Sequence, residues 1–162
     1  MGHPKRMRRA YERPKRPYDK ERIKREQKLL SEFGLKRKAE IWKAESLLRN
    51  YRRRARELLA NPDEKKQSEL FEKLSKQGFR STKLEDVLAI KLEDILSRRL
   101  QTLVYKKGFT STPKHARQLI VHMHILVDGR KMAWPSYIVP ANMEDKIEIN
   151  PKLAEKKVKK NG

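Results

Sequence analysis

Residues 98–131 read RRLQTLVYKKGFTSTPKHARQLIVHMHILVDGRK, and this stretch decides the fold of the second half of the chain. On a helical wheel, Leu100, Leu103 and Val104 fall on one face, which predicts a helix that also contains Arg98 and Arg99. Residue 108 is a glycine, which often ends a helix because it adopts the left-handed conformation without strain. The first predicted helix therefore stops there.

A second helix and a hairpin follow. Thr112 before Pro113 is typical of a helix start, because threonine caps free N–H groups and proline suits the first helical position. The inward positions of this helix are apolar: Ala116, Leu119 and Ile120. Residues 125–132, with the pair Asp128-Gly129 at their centre, predict two short strands joined by a tight turn.

The outer faces of both predicted helices carry cationic and hydrogen-bonding side chains. On the first helix these are Arg98, Gln101, Thr102, Tyr105 and Lys106, and on the second Lys114, Arg117 and Gln118. Phosphate groups are bound by such side chains and by the free N–H groups at a helix start. The sequence therefore indicates a surface that binds the phosphates of a nucleic acid.

These elements, in this order, resemble the RNA-binding domain of the ribosomal protein S four family, a fold also called the alpha-L motif. The resemblance rests on RRLQTLVYKKG, the ST-P helix start, HARQLIVH, the hairpin HILVDGR and the segment WPSYIVP. The first of these is similar to the archaeal and eukaryotic branch of the family rather than the bacterial one. Two departures are visible: Met123 stands at a helix exit where that branch commonly has glycine, and Asp128 replaces the usual asparagine of the turn. Aspartate also tolerates this turn.

The composition points to a polyanionic partner. The chain has 162 residues, with 42 Lys and Arg against 21 Asp and Glu, so its formal net charge is +21. Such an excess destabilises a compact state unless a polyanion neutralises it. Nucleic acid is the first candidate and an anionic membrane the second, although no apolar run approaches the roughly 18 residues of a membrane span. The absence of cysteine excludes disulfides and cysteine zinc sites and fits a cytosolic location.

The cationic charge is concentrated outside the middle of the chain. Residues 1–57 hold 21 basic and 8 acidic side chains, whereas residues 58–97 hold 7 and 8. Residues 98–150 hold 9 and 4, and residues 151–162 hold 5 and 1. The middle segment is therefore ordinary protein surface, and the parts that attract an anionic partner lie on either side of it.

The N-terminal half is predicted to be helical. The helical spacing of its apolar residues indicates a helix from Asp19 to Gly34 and a longer one whose inner stripe of apolar residues runs from Ala39 to Leu59. A third helix is predicted after the cap Asn61-Pro62. The long helix carries five arginines on its outer side: Arg49, Arg52, Arg53, Arg54 and Arg56. Acidic residues near them are sparse, and planar guanidinium groups reach two phosphate oxygens at once. RNA contact is thus favoured over a solvated face, and a nuclear-import role is compatible with it.

We predict an α+β fold, in which a helical basic N-terminal half precedes a small alpha-L domain of two helices and a short antiparallel sheet. The predicted parts are an extended basic arm (residues 1–18), the helical region (19–97), the alpha-L domain (98–150) and a flexible basic tail (151–162). Phe109, Trp134 and Tyr137 could stack on unpaired bases. Phe109 and Trp134 are nevertheless expected in the core of the small domain, because a domain of this size needs its large apolar groups.

The predicted rRNA contacts extend over both halves. Besides the five arginines of the long helix, they are Arg98, Arg99, Gln101, Thr102, Tyr105, Lys106, Lys107, Thr112, Lys114, His115, Arg117, Gln118, His122 and Arg130. Tyr105 is the best candidate for stacking on a base or for a hydrogen bond to a phosphate. His122 and His124 do not supply three or four converging donors, so no metal or other cofactor is predicted. Asp86 and Asp94 are explained as acidic groups at helix starts, and the sequence contains no catalytic constellation.

The resemblance implies a function in the ribosome. Family members are structural proteins that bind folded small-subunit rRNA directly, nucleate assembly, sit near protein S five and influence decoding accuracy. The alternatives are a non-ribosomal alpha-L module, such as a ribosome rescue factor, or a fragment of an RNA-modifying enzyme. A rescue factor would lack the long helical N-terminal half, and a modifying enzyme would need a separate catalytic domain.

Overall fold

The computed structural model describes residues 10–79 and 81–150. Within these residues the chain forms seven α-helices, a 3-10 turn and a three-stranded antiparallel sheet, which confirms the α+β fold class. The helices are α1 Lys20–Glu32, α2 Lys38–Ala60, α3 Glu64–Lys76, α4 Leu84–Ala89, α5 Leu92–Ser97, α6 Leu100–Lys106 and α7 Pro113–Val121. The strands are β1 Ile125–Val127, β2 Arg130–Lys131 and β3 Ile147–Ile149, and the 3-10 turn is Ala141–Met143.

The predicted ends of the chain fall largely beyond the described part. Residues 1–9 of the arm and the whole predicted tail, residues 151–162, lie outside it. Residues 10–18 precede α1 and form no helix or strand, and the ring of Tyr11 lies 5.8 Å from that of Trp42 on α2. The division into four parts stays a prediction.

The N-terminal core is built on α2. Its buried side chains follow the helical period: Ile41, Ala44, Leu48, Tyr51, Ala55 and Leu58. Helices α1, α4 and α5 pack against α2. Buried Glu26 of α1 also accepts a hydrogen bond of 2.9 Å from Trp42 Nε1. Leu59, predicted on the inner stripe, is 52% exposed, because one further residue turns about 100° away from buried Leu58.

Two helix starts in the middle of the chain differ from the prediction. Helix α3 is capped by Asp63 rather than by Asn61, and the Asp63 carboxylate accepts the Lys66 N–H at 3.3 Å. Residues 79–90, which the sequence predicts as a short connection to the helix with Arg98 and Arg99, contain α4. Asp86 accepts the Lys83 N–H at 2.9 Å at the start of this helix, which confirms its predicted role.

The arginine pair interrupts what the wheel predicted as a single helix. Arg98 ends α5, whereas Arg99 is extended with φ −72° and ψ 144°, so α6 begins only at Leu100. Arg99 forms an isolated β-bridge with Ile138, and the Val139 N–H donates to Arg98 O at 3.1 Å. This long-range backbone pairing replaces the helical bonds that periodicity predicted.

The second core lies between α6, α7 and the sheet. Its buried apolar members are Leu100, Leu103, Val104, Ala116, Leu119, Ile120, Ile125, Val127, Val139 and Ile147, and Phe109 packs against them as predicted. The strand order is β2-β1-β3, and Val127 lies opposite both Arg130 and Ile147. The predicted cap of α7 is confirmed, since Thr112 Oγ1 accepts the His115 N–H at 3.2 Å.

The exit from α7 has the geometry that usually requires glycine. Met123 has φ 58°, its N–H donates to Ile120 O at 2.9 Å, and the His124 N–H donates to Leu119 O at 2.9 Å. This bond pair is the Schellman helix stop, whose left-handed residue is usually glycine because a Cβ there is sterically strained. The Met123 side chain is 52% exposed, so packing compensates for little of this strain.

We expect Met123→Gly to stabilise the protein by about 1 kcal/mol, because glycine removes the left-handed strain. The measurement is the urea unfolding midpoint, with an unchanged slope of the transition. Gln118→Gly is the matched control, since Gln118 is exposed within α7 and glycine in a helix interior costs about 1 kcal/mol. Destabilisation by both substitutions would contradict the assignment of strain to Met123.

Candidate nucleic-acid interface

The contact between the two cores is polar and centres on Gln101. This side chain is only 1% exposed, and its Nε2 donates to three backbone carbonyl oxygens. They belong to Phe33 at 3.1 Å, Gly34 at 2.9 Å and Pro113 at 3.0 Å. Gln101 was predicted on the outer face of its helix, and that placement is wrong. The face is polar because it binds the turn between α1 and α2.

The same turn packs tightly against the start of α7. Gly34 has φ 60°, and a Cβ at this position would lie 2.8 Å from Pro113 Cβ and 3.0 Å from the Lys114 backbone N. Both the positive φ and the short distances require glycine. The α1–α2 turn is therefore held against the second core by close packing and by the Gln101 hydrogen bonds together.

Glu40, near the start of α2, binds two arginines of the second core. Its Oε2 accepts from Arg99 Nη2 at 2.5 Å, and Arg117 reaches both oxygens, with Nη1 at 3.2 Å from Oε2 and Nη2 at 3.1 Å from Oε1. Glu40 Oε1 also accepts the Lys36 N–H at 3.2 Å. The side chains of Glu40 and Arg99 are 15% and 6% exposed, so this network is largely shielded from water.

The electrostatics of this network favour an ionised Glu40. Burial alone would raise the pKa of its carboxyl, but the hydrogen bonds from Arg117 and Arg99 and their positive charges outweigh it, so the pKa lies below its usual range. Glu40 is therefore ionised at neutral pH and partly neutralises the two arginines.

A groove of about 530 Å³ opens beside this network, which we call the junction groove. Among the described residues its walls contain the cationic side chains of Lys36, Arg37, Lys43, Arg99 and Arg117, with Glu40 as the acidic one. Pro135, Ser136 and Ile138 also line the groove. Such an excess of positive charge in a concave surface suits the phosphate backbone of a nucleic acid.

The arginines of α2 divide into two groups. Arg53, Arg54 and Arg56 are exposed, and we call these three the distal cluster. Arg53 has an exposed partner in Glu57 at 3.8 Å, whereas Arg54 and Arg56 have no ion pair within the described part of the chain. Arg49 is exposed and pairs with Glu12 at 3.0 Å. Arg52 is half-buried and donates to Ile90 O at 2.7 Å, so it joins α2 to α4.

Several residues predicted as RNA contacts bind within the protein. Arg98 donates to Glu144 Oε2 at 2.6 Å and to Val139 O at 3.1 Å, and Lys107 donates to Glu144 O. Thr102 is buried and its hydroxyl donates to Leu96 O at 2.8 Å, which makes its predicted outer placement wrong. Helical periodicity identified these positions as polar but could not locate their partners.

The remaining predicted contacts stay on or near the surface of the second core. Tyr105 is 40% exposed on α6. The other exposed members are Lys106, Thr112, Lys114, Gln118, His122 and Arg130, and His115 is half-buried. The rings of His122 and His124 lie 6.2 Å apart, and the described residues contain no group of His, Asp and Glu that could hold a metal ion. Of the contacts predicted in this half, Arg117 and Arg99 line the junction groove.

Trp134 contradicts its predicted place in the core. Its side chain is 68% exposed, whereas Tyr137 and Val139 of the same loop turn inward. The loop forms a turn in which the Tyr137 N–H donates to Trp134 O at 3.1 Å. Because of this turn, the side chains of Tyr137 and Val139 enter the core and the indole of Trp134 stays outside.

Sequence reasoning also missed four residues of the junction groove. Lys36, Arg37 and Lys43 belong to the strongly cationic N-terminal segment, but nothing in their spacing marked them as neighbours of the second core. The basic run from Lys36 to Lys38 was the available signal. Glu40 gave no such signal, because acidic residues are common in the first turn of a helix, where they interact favourably with the helix dipole.

Comparison with known protein sequences relates the chain to a family. Residues 98–145 match the S4 domain. The chain is 48% identical to the small ribosomal subunit protein uS4 of Methanothermobacter thermautotrophicus, over 97% of this chain and 95% of that protein. It is 47% identical to uS4 of Methanococcus aeolicus, over 93% and 89%, and 46% identical to uS4 of Hyperthermus butylicus, over 93% and 89%. The similarity includes the helical N-terminal half. Within residues 10–79 and 81–150, none of the helices has the length and apolar character of a membrane span.

We expect Glu40→Ala to lower the free energy of unfolding by on the order of 3 kcal/mol, because it leaves the buried Arg99 without its carboxylate. Urea unfolding of the full chain measures the loss. Glu57→Ala is the matched control, since Glu57 pairs with Arg53 on the exposed surface of the same helix and such pairs contribute under about 1 kcal/mol. Similar losses in the two variants would show that the network around Glu40 does not join the cores.

The lowered pKa of Glu40 predicts a specific dependence on pH. A carboxyl whose folded pKa is depressed stabilises the fold fully above its unfolded pKa, which is about 4.3, and loses this contribution as the pH falls through the folded pKa. The stability difference between wild type and Glu40→Gln should therefore be largest at neutral pH and shrink below about pH 4. Thermal unfolding of both proteins across this range measures it, and a constant difference would contradict the assignment.

Proposed function

The chain belongs to the uS4 family of small ribosomal subunit proteins, and we propose that it binds the RNA of that subunit directly through two cationic surfaces. The family consists of structural proteins of the ribosome and not of enzymes, which agrees with the absence of a catalytic constellation from the sequence. The family membership also confirms the resemblance that the motifs of residues 98–131 indicated.

The junction groove is the observation that carries the proposal. It joins cationic side chains from both halves of the chain, with Lys36, Arg37 and Lys43 on one side and Arg117 on the other. A-form RNA hides its base edges in a deep and narrow groove, so proteins read its backbone geometry and its exposed loops. A concave cationic surface of fixed shape suits this kind of recognition.

The distal cluster supplies the second surface. Lys43 and Arg54 are eleven residues apart on α2, which corresponds to about 16 Å of helix rise. Because both lie on one continuous helix, the separation between the two surfaces does not change. A protein with two cationic surfaces at a fixed separation can hold two RNA segments in one relative orientation.

The predicted contact residues then take two different roles. We assign direct contact to the exposed ones: Arg49, Arg53, Arg54, Arg56, Tyr105, Lys106, Thr112, Lys114, Gln118, His122 and Arg130, with half-buried His115. Arg52, Arg98, Gln101, Thr102 and Lys107 act as positioning residues, because they bind within the protein. Arg99 and Arg117 do both, since they bind Glu40 and also line the junction groove.

The wider role that we propose follows from the family resemblance. It comprises nucleation of small-subunit assembly, the holding of an rRNA junction, contact with the neighbouring protein S five and an influence on translational accuracy, within cytoplasmic ribosomes. Fixed separation between two RNA-binding surfaces is the physical property that supports the holding of a junction.

The salt dependence of rRNA binding tests the two surfaces. Each phosphate contact contributes about 0.7 to 0.9 to the slope of log affinity against log salt concentration. The triple variant Lys36→Gln, Arg37→Gln, Lys43→Gln should therefore weaken binding to small-subunit rRNA and lower the slope by about 2. The triple variant Arg53→Gln, Arg54→Gln, Arg56→Gln should give a similar decrease. Filter binding between low and moderate salt measures both.

A matched triple variant controls for the loss of net charge. Lys76, Lys83 and Lys91 are exposed and lie in the segment whose charges nearly cancel. Their replacement by Gln should leave the slope within about 0.5 of wild type, because these residues make no phosphate contact in the proposed arrangement. An unchanged slope in the junction-groove triple, or an equal decrease in the control, would refute the assignment of the groove to RNA.

A further inference from the structure

Trp134 is the largest of the strongly exposed side chains in the part of the chain that the structure describes. Its indole is 68% exposed, although the domain around it has few large apolar groups to build a core. A single exposed apolar residue is common on proteins and by itself indicates nothing. The position and rigidity of this one supply the argument.

The backbone that follows Trp134 is held in place by three hydrogen bonds. The Tyr137 N–H donates to Trp134 O at 3.1 Å, which closes a turn. The Gln101 N–H donates to Pro135 O at 3.3 Å and the Leu100 N–H to Tyr137 O at 2.7 Å, which tie the turn to the first residues of α6. Tyr137 also packs against the second core. The turn therefore presents the indole from an ordered backbone, so little conformational entropy is lost when a partner binds it.

The turn also forms the edge of the junction groove. Pro135 and Ser136, the two residues after Trp134, line the groove together with Lys36, Arg37 and Lys43. An aromatic platform next to a cationic groove is the arrangement that binds single-stranded nucleic acid, in which cations contact phosphates and aromatic rings stack on bases. The positive charge of the groove favours this partner over an apolar protein surface.

We infer that Trp134 stacks on an unpaired base of the RNA strand whose phosphates occupy the junction groove. The inference rests on the proposed RNA-binding function and adds a base-stacking residue to it. Stacking is tolerant of base identity, because every base has a π-face. Trp134 therefore recognises the presence of an unpaired nucleotide at this edge rather than a sequence.

Substitutions of Trp134 in the full chain test the inference. Trp134→Ala should weaken binding to single-stranded oligoadenylate by about 5- to 100-fold, whereas Trp134→Phe should stay within about 3-fold of wild type, because phenylalanine keeps an aromatic face. None of the variants should differ in affinity for a fully paired RNA duplex. Oligoadenylate should also quench the tryptophan emission of wild type, and this quenching should be absent from Trp134→Phe.

The controls separate the inference from the proposed function. Leu59→Ala removes another half-exposed apolar side chain at the far end of α2 and should leave both RNA affinities unchanged. Suppose that wild type binds small-subunit rRNA with a steep salt dependence and that Trp134→Ala binds oligoadenylate and rRNA as tightly as wild type does. The stacking inference is then overturned, and the proposed function stands. An equal loss for duplex and single strand in Trp134→Ala would also overturn stacking. If wild type binds none of these RNAs, both proposals fail together.

Discussion

The ion-pair network around Glu40 is the contact on which the rest of the structure depends. The two apolar cores are separate clusters, and between them Glu40 binds Arg99 and Arg117 while Gln101 binds the carbonyl oxygens of the α1–α2 turn. A buried ion pair adds little net stability compared with an apolar contact, but removing one partner is strongly destabilising. The network therefore acts mainly by fixing geometry. Hydrogen bonds of defined direction allow one relative orientation of the cores, whereas apolar surfaces can slide.

A chain with a net charge of +21 uses some of its cations inside the fold. Arg52, Arg98 and Arg99 are directed into the protein, where they bind backbone carbonyl oxygens or the carboxylates of Glu144 and Glu40. Their charge is partly neutralised by contacts that also hold the elements together. The exposed cations of the junction groove and the distal cluster are left for a polyanion to neutralise. Under the proposed function, some cations such as Arg98 act within the fold, others such as Arg54 are left for RNA, and Arg99 and Arg117 do both.

Local patterns predicted much of the fold, and long-range partners explain most of what they missed. The periodicity of the apolar residues, together with the capping and turn residues, predicted α1, α2, α7 and the hairpin, because these elements depend on neighbours within a few positions. The break at Arg99 arises from pairing with Ile138, and the buried position of Gln101 from a turn nearly seventy residues away. Trp134 was predicted inside because of its size, yet the turn that ends at Tyr137 determines which side chain enters the core. A wheel identifies a polar position but cannot state whether its partner is water, RNA or protein.

The polar junction also determines what the junction groove can recognise. Lys36, Arg37 and Lys43 belong to one half of the chain and Arg117, Pro135 and Ser136 to the other, so the width of the groove is set by the contact between the halves. The turn that carries Trp134 is anchored to α6, and Gln101 of the same helix binds the α1–α2 turn. Helix α6 thus contacts both the turn that carries the indole and the turn that precedes the cationic residues of α2. Since RNA is read through backbone geometry, a groove whose walls are held at a fixed separation discriminates by shape. In the proposed RNA complex, the residues that fix the separation are consequently as important for recognition as those that contact the RNA.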